Sequence, residues 1–383
     1  MTYLNQAGTS WPKPQAVRLA VQQAMDESHQ DWADSFEAQH GRVARAFGAA
    51  PERLLLTPGC TSALATAIAD VDWREGDRVV TSGLEHHALH RPVTLLERRG
   101  VQATAIGRPL DAPIDIGAPI HIGATLDLDA LGAELERGGV RLVAMTAACN
   151  VTGELLPIRE ATELAHAHGA LMLVDAAQIA GWLPIDVEAM QVDLLAFAGH
   201  KGLRAPWGIG GLYVAPHVAL ASPAATCALP VAGAAPAPCA PMPGYCDVGS
   251  VDRFALAGLS AALDDAEPGG TEERLHAARA LLEPREAFLD ERTSIRPLGA
   301  RDPRARLPTV AFTVEGRTST EALAAFGARN VVVAGGLQCA PLAHRTLGTE
   351  PDGAIRVSVG PSNDARDVER AIEVLDELCP ATS

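Results

Sequence analysis

Aromatic side chains and positive charge are both scarce in this sequence. Only 4% of the 383 residues are Phe, Trp or Tyr, so Ala, Gly, Leu and Val must fill most of the core. The formal net charge is -16, and no run of Lys or Arg occurs anywhere in the chain. Because contacts to nucleic-acid phosphates require clustered basic side chains, we expect no nucleic-acid partner.

The sequence also lacks long hydrophobic runs and paired cysteines. Apolar stretches such as 170–181 are too short to cross a bilayer, and the first residues show neither a basic nor an apolar segment of a secretory signal. The seven cysteines are an odd number, and none of their spacings matches the C-x-x-C pair of a zinc site. We therefore expect a cytoplasmic protein with free thiols, no membrane segment and no metal site.

Apolar, strand-like runs alternate with helix-like patterns from about residue 50 to residue 215. The predicted strands are 53–57, 78–82, 101–106, 141–146, 170–175, 193–198 and 211–214, and the predicted helices are 61–70, 86–98, 127–137 and 157–168. Continuous apolar strands separated by helices are typical of a mostly parallel sheet covered on both faces. Such a sheet binds ligands at the carboxyl ends of its strands.

The composition changes after this alternation ends. Ala, Pro and Cys dominate 218–244, which predicts a loop. The patterns that follow predict helices at 253–265, 270–290 and 364–378 and strands at 309–314 and 330–333. We therefore predict a large domain over 14–252 and a smaller α/β domain formed by 253–383 together with 1–13.

Two polar residues stand at the ends of apolar strands. Lys201 lies in Gly-His-Lys-Gly at 199–202, and Asp175 ends the strand 170–175. Desolvation lowers the pKa of a lysine in a cleft, which makes its amine a nucleophile for an aldehyde. A carboxylate at a strand end can keep a pyridinium nitrogen protonated. Taken alone, Lys201 is also typical of a surface turn, and Asp175 of a helix N-cap.

Taken together, these segments resemble the class V aminotransferase family, in the branch of cysteine desulfurases and selenocysteine lyases related to the Suf-type enzymes. The resemblance runs from residue 3 to residue 359 and is strongest in Gly-His-Lys-Gly at 199–202 and Val-Asp-Ala-Ala-Gln at 174–178. It implies a fold-type I transferase that depends on pyridoxal 5'-phosphate. The expected architecture is an α/β fold, with a mostly parallel sheet in the large domain and a smaller C-terminal α/β domain.

The resemblance assigns a role to each residue around the cofactor ring. Lys201 would carry the cofactor as a Schiff base and move protons, while Asp175 would pair with the pyridine nitrogen. Gln178 would bind the phenolic oxygen, and His86 would stack on the ring face. Asn150 would lie near the phenolic oxygen and the substrate carboxylate. Without the family, His86 is equally typical of a helix start and Asn150 of a turn.

The cofactor phosphate is expected where a strand leads into a helix, because the first N–H groups of a helix favour anions. Gly59, Cys60 and Thr61 would hold the phosphate, and His200 would contribute. Relatives have a hydroxyl residue three positions before the lysine, whereas this chain has Ala198. One phosphate contact is therefore missing or replaced.

The segment Asp-Val-Gly-Ser at 247–250 resembles one that reaches across the dimer interface in relatives. There it contacts the phosphate bound by the partner subunit. Ser250 would keep the hydroxyl that makes this contact, so the resemblance implies a homodimer.

The resemblance also implies a sulfur-accepting thiol and a carboxylate-binding arginine. Cys339 matches the mobile cysteine of the family, and Arg356 matches the arginine that grips the substrate through two parallel hydrogen bonds. The two are near in sequence, which resembles the Suf-related branch and its need for an acceptor protein. Ala334 and Gln338 depart from the arginine and histidine that are common in relatives. Taken alone, Cys339 is typical of buried packing and Arg356 of an edge strand.

We therefore predict a desulfurase that removes sulfur from L-cysteine or a related substrate and leaves alanine and a Cys339 persulfide. One alternative is a pyridoxal-phosphate-dependent C–S β-lyase, which Ala334 and Gln338 favour and Cys339 disfavours. A second alternative is a non-enzymatic scaffold for sulfur transfer. Lys201 and Asp175 argue against a scaffold, which needs neither of them.

Overall fold

The computed structural model describes residues 1–28, 30–106, 126–220, 251–266 and 270–379. The strands in these ranges are β1 (Thr2–Tyr3), β2 (Leu54–Thr57), β3 (Arg78–Ser82), β4 (Gln102–Ile106), β5 (Val140–Thr146), β6 (Leu171–Asp175), β7 (Leu194–Ala198), β8 (Gly210–Val214), β9 (Ile295–Leu298), β10 (Thr309–Val314), β11 (Val331–Val332) and β12 (Ile355–Ser358). The helices are α1 (Gln15–Asp26), α2 (Trp32–Ala46), α3 (Cys60–Asp70), α4 (His87–Leu95), α5 (Leu128–Glu136), α6 (Ile158–Ala167), α7 (Arg253–Ala262), α8 (Gly270–Glu291), α9 (Ser319–Ala328), α10 (Pro341–Thr346) and α11 (Ala365–Leu378). None of the helices within these ranges is both long enough and apolar enough to span a membrane.

A seven-stranded sheet lies at the centre, in the order β2-β8-β7-β6-β5-β3-β4. Strand β8 is antiparallel to both of its neighbours, and all other adjacent pairs are parallel, which confirms the predicted mostly parallel sheet. The inner strands are almost wholly buried because helices cover both faces. Strand β4 is more exposed because it forms an edge of the sheet.

The register of the sheet brings the carboxyl ends of its parallel strands together. Thr146 at the end of β5 pairs with Asp175 at the end of β6, and Asp175 pairs with Ala196 in β7. The residues that follow β3, β5, β6 and β7 therefore emerge along one edge. This edge carries the candidate site.

The C-terminal part adds an antiparallel sheet in the order β12-β10-β9. Strand β1 pairs in parallel with β11, and Asn5 forms a bridge with Ser358. The N-terminal segment thus lies beside the strands that follow the central sheet in sequence. The domain boundary at residue 252 stays a prediction.

The predicted strands that fall in the described ranges are present, most of them within one residue of their predicted ends. Two predicted helices end early, because α4 and α7 each continue as a tighter 3-10 turn, over Leu96–Arg99 and Leu263–Ala266. Helices α1 and α2 were not predicted. Of the predicted loop 218–244, only 218–220 lies within the described residues, and these three are irregular.

Candidate active site

A cavity of about 310 Å³ opens at the carboxyl edge of the central sheet. Nine of the predicted site residues line it together: Gly59, Cys60, Thr61, His86, Asn150, Asp175, Gln178, His200 and Lys201. They come from segments that follow β2, β3, β5, β6 and β7. The cavity therefore has the position at which parallel sheets bind ligands.

Lys201 stands at the wall of this cavity, three residues after the end of β7. A Cβ atom on Gly199 would lie 2.9 Å from Ile209 Cγ2, and one on Gly202 would lie 2.5 Å from the Ala180 carbonyl oxygen. Only glycine fits on both sides of the His-Lys pair, so the tight turn dictates where the lysine emerges. Burial lowers the pKa of Lys201, and the nearby Asp175 opposes that shift. A larger share of its amine is therefore neutral and nucleophilic.

Asp175 is buried, and one of its two carboxylate oxygens accepts hydrogen bonds from other residues. Its Oδ1 atom accepts hydrogen bonds from the backbone N–H of Ala177 at 2.8 Å and from the Cys60 thiol at 3.3 Å. Burial and the Asp175 carboxylate raise the pKa of Cys60 well above its usual range, so this thiol stays protonated and donates. The Cys60 side chain was predicted only as part of the phosphate site. Its contact with Asp175 is a finding that the sequence did not reveal.

His86 caps the N-terminus of α4, where its Nδ1 atom accepts a hydrogen bond from the backbone N–H of Ala88 at 3.0 Å. Burial, together with the positive charge of Lys201, lowers the pKa of His86 to about 4. The imidazole is therefore neutral near pH 7. A neutral aromatic ring at the cavity wall is suited to stack on another ring.

Glu85, a buried residue to which we gave no role, directly precedes His86 in the chain. Its two carboxyl oxygens accept hydrogen bonds from the Thr146 backbone N–H at 3.1 and 3.0 Å, and the Ser82 hydroxyl donates to one of them. Burial raises the pKa of Glu85 to about 8, with Asp175 adding to the rise. Glu85 ties the end of β3 to the end of β5. An acid beside a histidine at the end of an apolar strand is the signal that could have identified it.

The first turn of α3 forms one end of the cavity. Gly59 has a φ of +150°, a conformation that L side chains rarely adopt, and Gly59, Cys60, Thr61 and Ser62 all line the cavity. Burial lowers the pKa of His200 to about 4, so its ring is neutral beside this turn. Ser62 was not predicted. Its hydroxyl lies in the same cavity as Ala198, where relatives supply a hydroxyl.

Cys339 and Arg356 do not line this cavity, but both connect to Asn150, which does. Arg356 Nη1 donates to the Asn150 carbonyl oxygen at 2.6 Å, and Asn150 Nδ2 donates to the Gln338 carbonyl oxygen at 2.9 Å. Arg356 Nη2 donates to Asn5 Oδ1 at 2.7 Å. Burial lowers the pKa of Arg356 to about 10, so the guanidinium remains charged near pH 7. Cys339 is exposed.

The residues around the cavity fit pyridoxal 5'-phosphate. The Oδ1 atom of Asn150 is buried without a hydrogen-bond partner in the described part of the chain. Such an atom is typical of a group that binds a ligand. The lysine, the buried acid and the helix N-terminus supply an amine, an anion and phosphate-binding N–H groups. Ser250, the predicted partner-subunit contact, lies outside the described residues.

Comparisons with known proteins agree with this fold. The family model "Aminotransferase class-V" matches residues 3–371. A probable cysteine desulfurase of Pseudomonas aeruginosa is 34% identical, over 98% of this chain and 93% of the relative.

Two solved cysteine desulfurases share the architecture at 25% identity. The apo enzyme of Thermococcus onnurineus NA1 superposes with a TM-score of 0.86, over 98% of this chain and 94% of that one. CsdA of Escherichia coli superposes with a TM-score of 0.83, over 99% and 95%. The fold is therefore the fold-type I architecture of pyridoxal-phosphate-dependent enzymes. The chain belongs to the class V aminotransferase family, which confirms the predicted resemblance.

Proposed function

We propose that this chain is a cysteine desulfurase that takes sulfur from L-cysteine, releases alanine and carries the sulfur as a persulfide on Cys339. The observation that carries the proposal is one continuous site. Lys201 and Asp175 line the cavity, and Asn150 at its wall is hydrogen-bonded both to Arg356 and to the backbone beside Cys339. The 34% identity to a probable cysteine desulfurase over nearly the whole of both chains supports the same activity.

The cofactor is pyridoxal 5'-phosphate. The residues that would hold its ring are Lys201, Asp175, Gln178, His86 and Asn150, and those that would hold its phosphate are Gly59, Cys60, Thr61 and His200. Asp175 Oδ1 already accepts two hydrogen bonds, which leaves the Oδ2 atom to accept the ring N–H. When bound, the cofactor withdraws electrons from the carbon skeleton of an attached amino acid.

Arg356 would bind the substrate carboxylate. It is 4% exposed, and its Nε atom is buried without a partner among the described residues. A guanidinium holds a carboxylate through parallel hydrogen bonds, which fixes the orientation of the Cα–H bond. Asn150, whose carbonyl oxygen accepts from Arg356, would complete the contact.

Lys201 Nζ would carry the protons. Because burial lowers its pKa, the amine can accept the proton from Cα of cysteine and return a proton to the product. Cys339 Sγ, as the thiolate, would attack the substrate sulfur. The C–S bond of cysteine breaks, its electron pair stays on carbon, and a proton completes the methyl group of alanine. The new S–S bond holds the transferred sulfur on Cys339.

A C–S β-lyase is the alternative, and we do not favour it. Such an enzyme expels the sulfur group without a nucleophilic thiol and releases pyruvate and ammonia. The hydrogen bond that connects the Cys339 turn to Asn150 favours the desulfurase, because a lyase has no use for a thiol held there. We further propose a cytoplasmic homodimer that passes its sulfur to an acceptor protein.

Product analysis tests the proposed function. Wild-type enzyme loaded with cofactor should convert L-cysteine to alanine, and mass spectrometry should find one added sulfur on the peptide that contains Cys339. Cys339→Ser should keep the visible absorbance of the bound cofactor but lose alanine formation at least about a hundredfold, because a hydroxyl is a far weaker nucleophile.

Cys379→Ala is the matched control, because Cys379 is a buried cysteine at the end of α11 and should not affect turnover. Near-normal turnover of Cys339→Ser with pyruvate as the product would establish the lyase instead.

A further inference from the structure

The turn that presents Cys339 has an unusual backbone. Gln338 and Cys339 are consecutive residues with φ of +47° and +59°, in the left-handed region. This conformation is costly for residues that carry a Cβ atom, and runs of such residues are rare. Something outside the turn must therefore hold it.

Three hydrogen bonds connect this turn to three other segments. The side-chain amide of Gln338 donates from Nε2 to the Ala354 carbonyl oxygen at 2.7 Å. The Gln338 carbonyl oxygen accepts from Asn150 Nδ2 at 2.9 Å, and the Cys339 carbonyl oxygen accepts from the His87 backbone N–H at 2.8 Å. Of these, only the first uses a side chain of the turn itself.

The connections form a closed ring with the substrate arginine. Ala354 lies two residues before Arg356, whose Nη1 atom donates to the Asn150 carbonyl oxygen at 2.6 Å. Asn150 in turn binds the Gln338 carbonyl oxygen. The thiol turn, the loop after β5 and the start of β12 are therefore tied to one another.

We propose that Gln338 is a positioning residue whose side-chain amide fixes the Cys339 thiol relative to Arg356. The inference rests on the proposed function, because Arg356 places the substrate and Cys339 receives its sulfur. Gln338 is half-buried, and an amide does not titrate. The hydrogen bond from Gln338 Nε2 to the Ala354 carbonyl oxygen, which we call the tether, therefore keeps its strength as the pH changes.

Three substitutions at Gln338 distinguish the effect of the side-chain hydrogen bond from the effect of the backbone conformation of the turn. Gln338→Ala removes the amide. Gln338→Asn keeps an amide and a residue that tolerates a left-handed backbone, but its side chain is one methylene too short to reach the Ala354 oxygen. Gln338→Glu has the right length and donates only when its carboxyl group is protonated. Gln191→Ala is the matched control, because Gln191 is an exposed glutamine with a φ of +54°. It lies just before the start of β7, whereas Lys201 lies just after the end of that strand.

The main measurement is the single-turnover rate of persulfide formation on Cys339 in enzyme loaded with cofactor. We expect Gln338→Ala and Gln338→Asn to slow this step about five- to tenfold, as loss of one hydrogen bond does, with cofactor absorbance and the KM for L-cysteine within about twofold of wild type. Gln338→Glu should approach the wild-type rate only at about pH 4 and below, and fall below it at higher pH, as its carboxyl group ionises between about pH 4 and 5. Gln191→Ala should match wild type.

Wild-type transfer rates in Gln338→Asn would overturn the proposal, as would a pH-independent ratio of Gln338→Glu to wild type. Equal losses of cofactor binding and of sulfur transfer would also overturn it, because they indicate a purely structural role.

Alkylation of Cys339 by iodoacetamide, followed on its peptide by mass spectrometry, needs no turnover. We expect it to rise about threefold in Gln338→Ala, because the released turn opens more often. That rise in an enzyme that forms no persulfide would overturn the proposed function and leave the tether standing. An unchanged alkylation rate would contradict the tether.

Discussion

At the scale of single residues, the two buried acids of the site, Asp175 and Glu85, lie in different environments. Asp175 accepts hydrogen bonds from Cys60 and from a backbone N–H, and Lys201 lies close enough to interact with it. Glu85 is wholly buried and accepts hydrogen bonds from Thr146 and Ser82. An uncompensated buried carboxylate is costly, so Glu85 binds a proton instead. A protonated Glu85 adds no negative charge near Asp175.

Glu85→Gln should reveal this proton through stability. The pKa of Glu85 is about 8 in the folded protein and about 4.3 in the unfolded chain, so folding takes up a proton between these values. The stability that protonated Glu85 contributes to the folded protein is complete below the pKa of Glu85 in the unfolded chain. It is lost as the pH rises through the pKa of Glu85 in the folded protein. In urea unfolding, we expect the free energy of unfolding of Glu85→Gln to rise relative to that of wild type from pH 5 to pH 8. The rise should be about 1.4 kcal/mol per pH unit and up to about 4 kcal/mol in total.

Glu160→Gln is the control for this measurement, because Glu160 is exposed in the first turn of α6 and should show no such trend. A stability difference between Glu85→Gln and wild type that stays constant with pH would mean that Glu85 is ionised in the folded protein.

The sequence predicted the residues whose chemistry is local, and missed those whose role depends on distant partners. Lys201 and Asp175 stand out because a charged side chain at the end of an apolar strand is unusual. Gln338 was identified only as a departure from relatives, because its contacts, from its side chain to Ala354 and from Asn150 to its backbone carbonyl, follow no short sequence pattern. The Cys60 contact with Asp175 joins two segments that only the sheet brings together. The roles assigned to the site residues stay predictions.

At the scale of elements, strands were predicted better than helices for a physical reason. A strand buried on both faces is a continuous apolar run bounded by polar residues, and it can be read from a short window. Helix α1, which was not predicted, exposes Leu19 and Met25, so its apolar face is poorly marked. Strand β9 contains Pro297, which is uncommon inside strands and hid it.

The turn after β6 packs directly against the lysine turn, and glycine makes this possible. A Cβ atom on Gly181, whose φ is +85°, would lie 2.3 Å from the backbone carbon of Gly202 and 2.4 Å from the backbone nitrogen of Leu203. The position of Lys201 therefore depends on close contact between two backbones. No side chain can be accommodated there without separating the two turns.

Gly181→Ala should destabilise the protein by about 3 kcal/mol or more, from left-handed strain plus a backbone clash. It should also weaken cofactor retention on dialysis, because the lysine turn is displaced. Gly169→Ala is the matched control, since Gly169 has a φ of +72° and nothing within 4 Å of an added Cβ atom. We expect that variant to lose only about 1–2 kcal/mol in urea unfolding and to keep its cofactor. Equal effects of the two substitutions would show that the contact does not matter.

At the scale of the whole molecule, the site has an exposed apolar rim. Trp207 lines the cavity and is 68% exposed. Large apolar side chains beside a binding site are typical of surfaces that contact another chain. Together with the resemblance at 247–250, they support a homodimer in which each subunit covers the other's cavity.

Trp207→Ala should weaken this dimer. We expect sedimentation of the wild type to give about twice the 40.0 kDa of one chain. In Trp207→Ala the dissociation constant should rise about tenfold or more, because a large aromatic side chain contributes strongly when an interface buries it. Cofactor should be lost in parallel on dilution, since the proposed dimer completes the phosphate site through the contact predicted for Ser250. Leu95→Ala is the control, because Leu95 is 53% exposed on α4 and does not line the cavity. A monomer with full cofactor occupancy at every concentration would rule out a shared site.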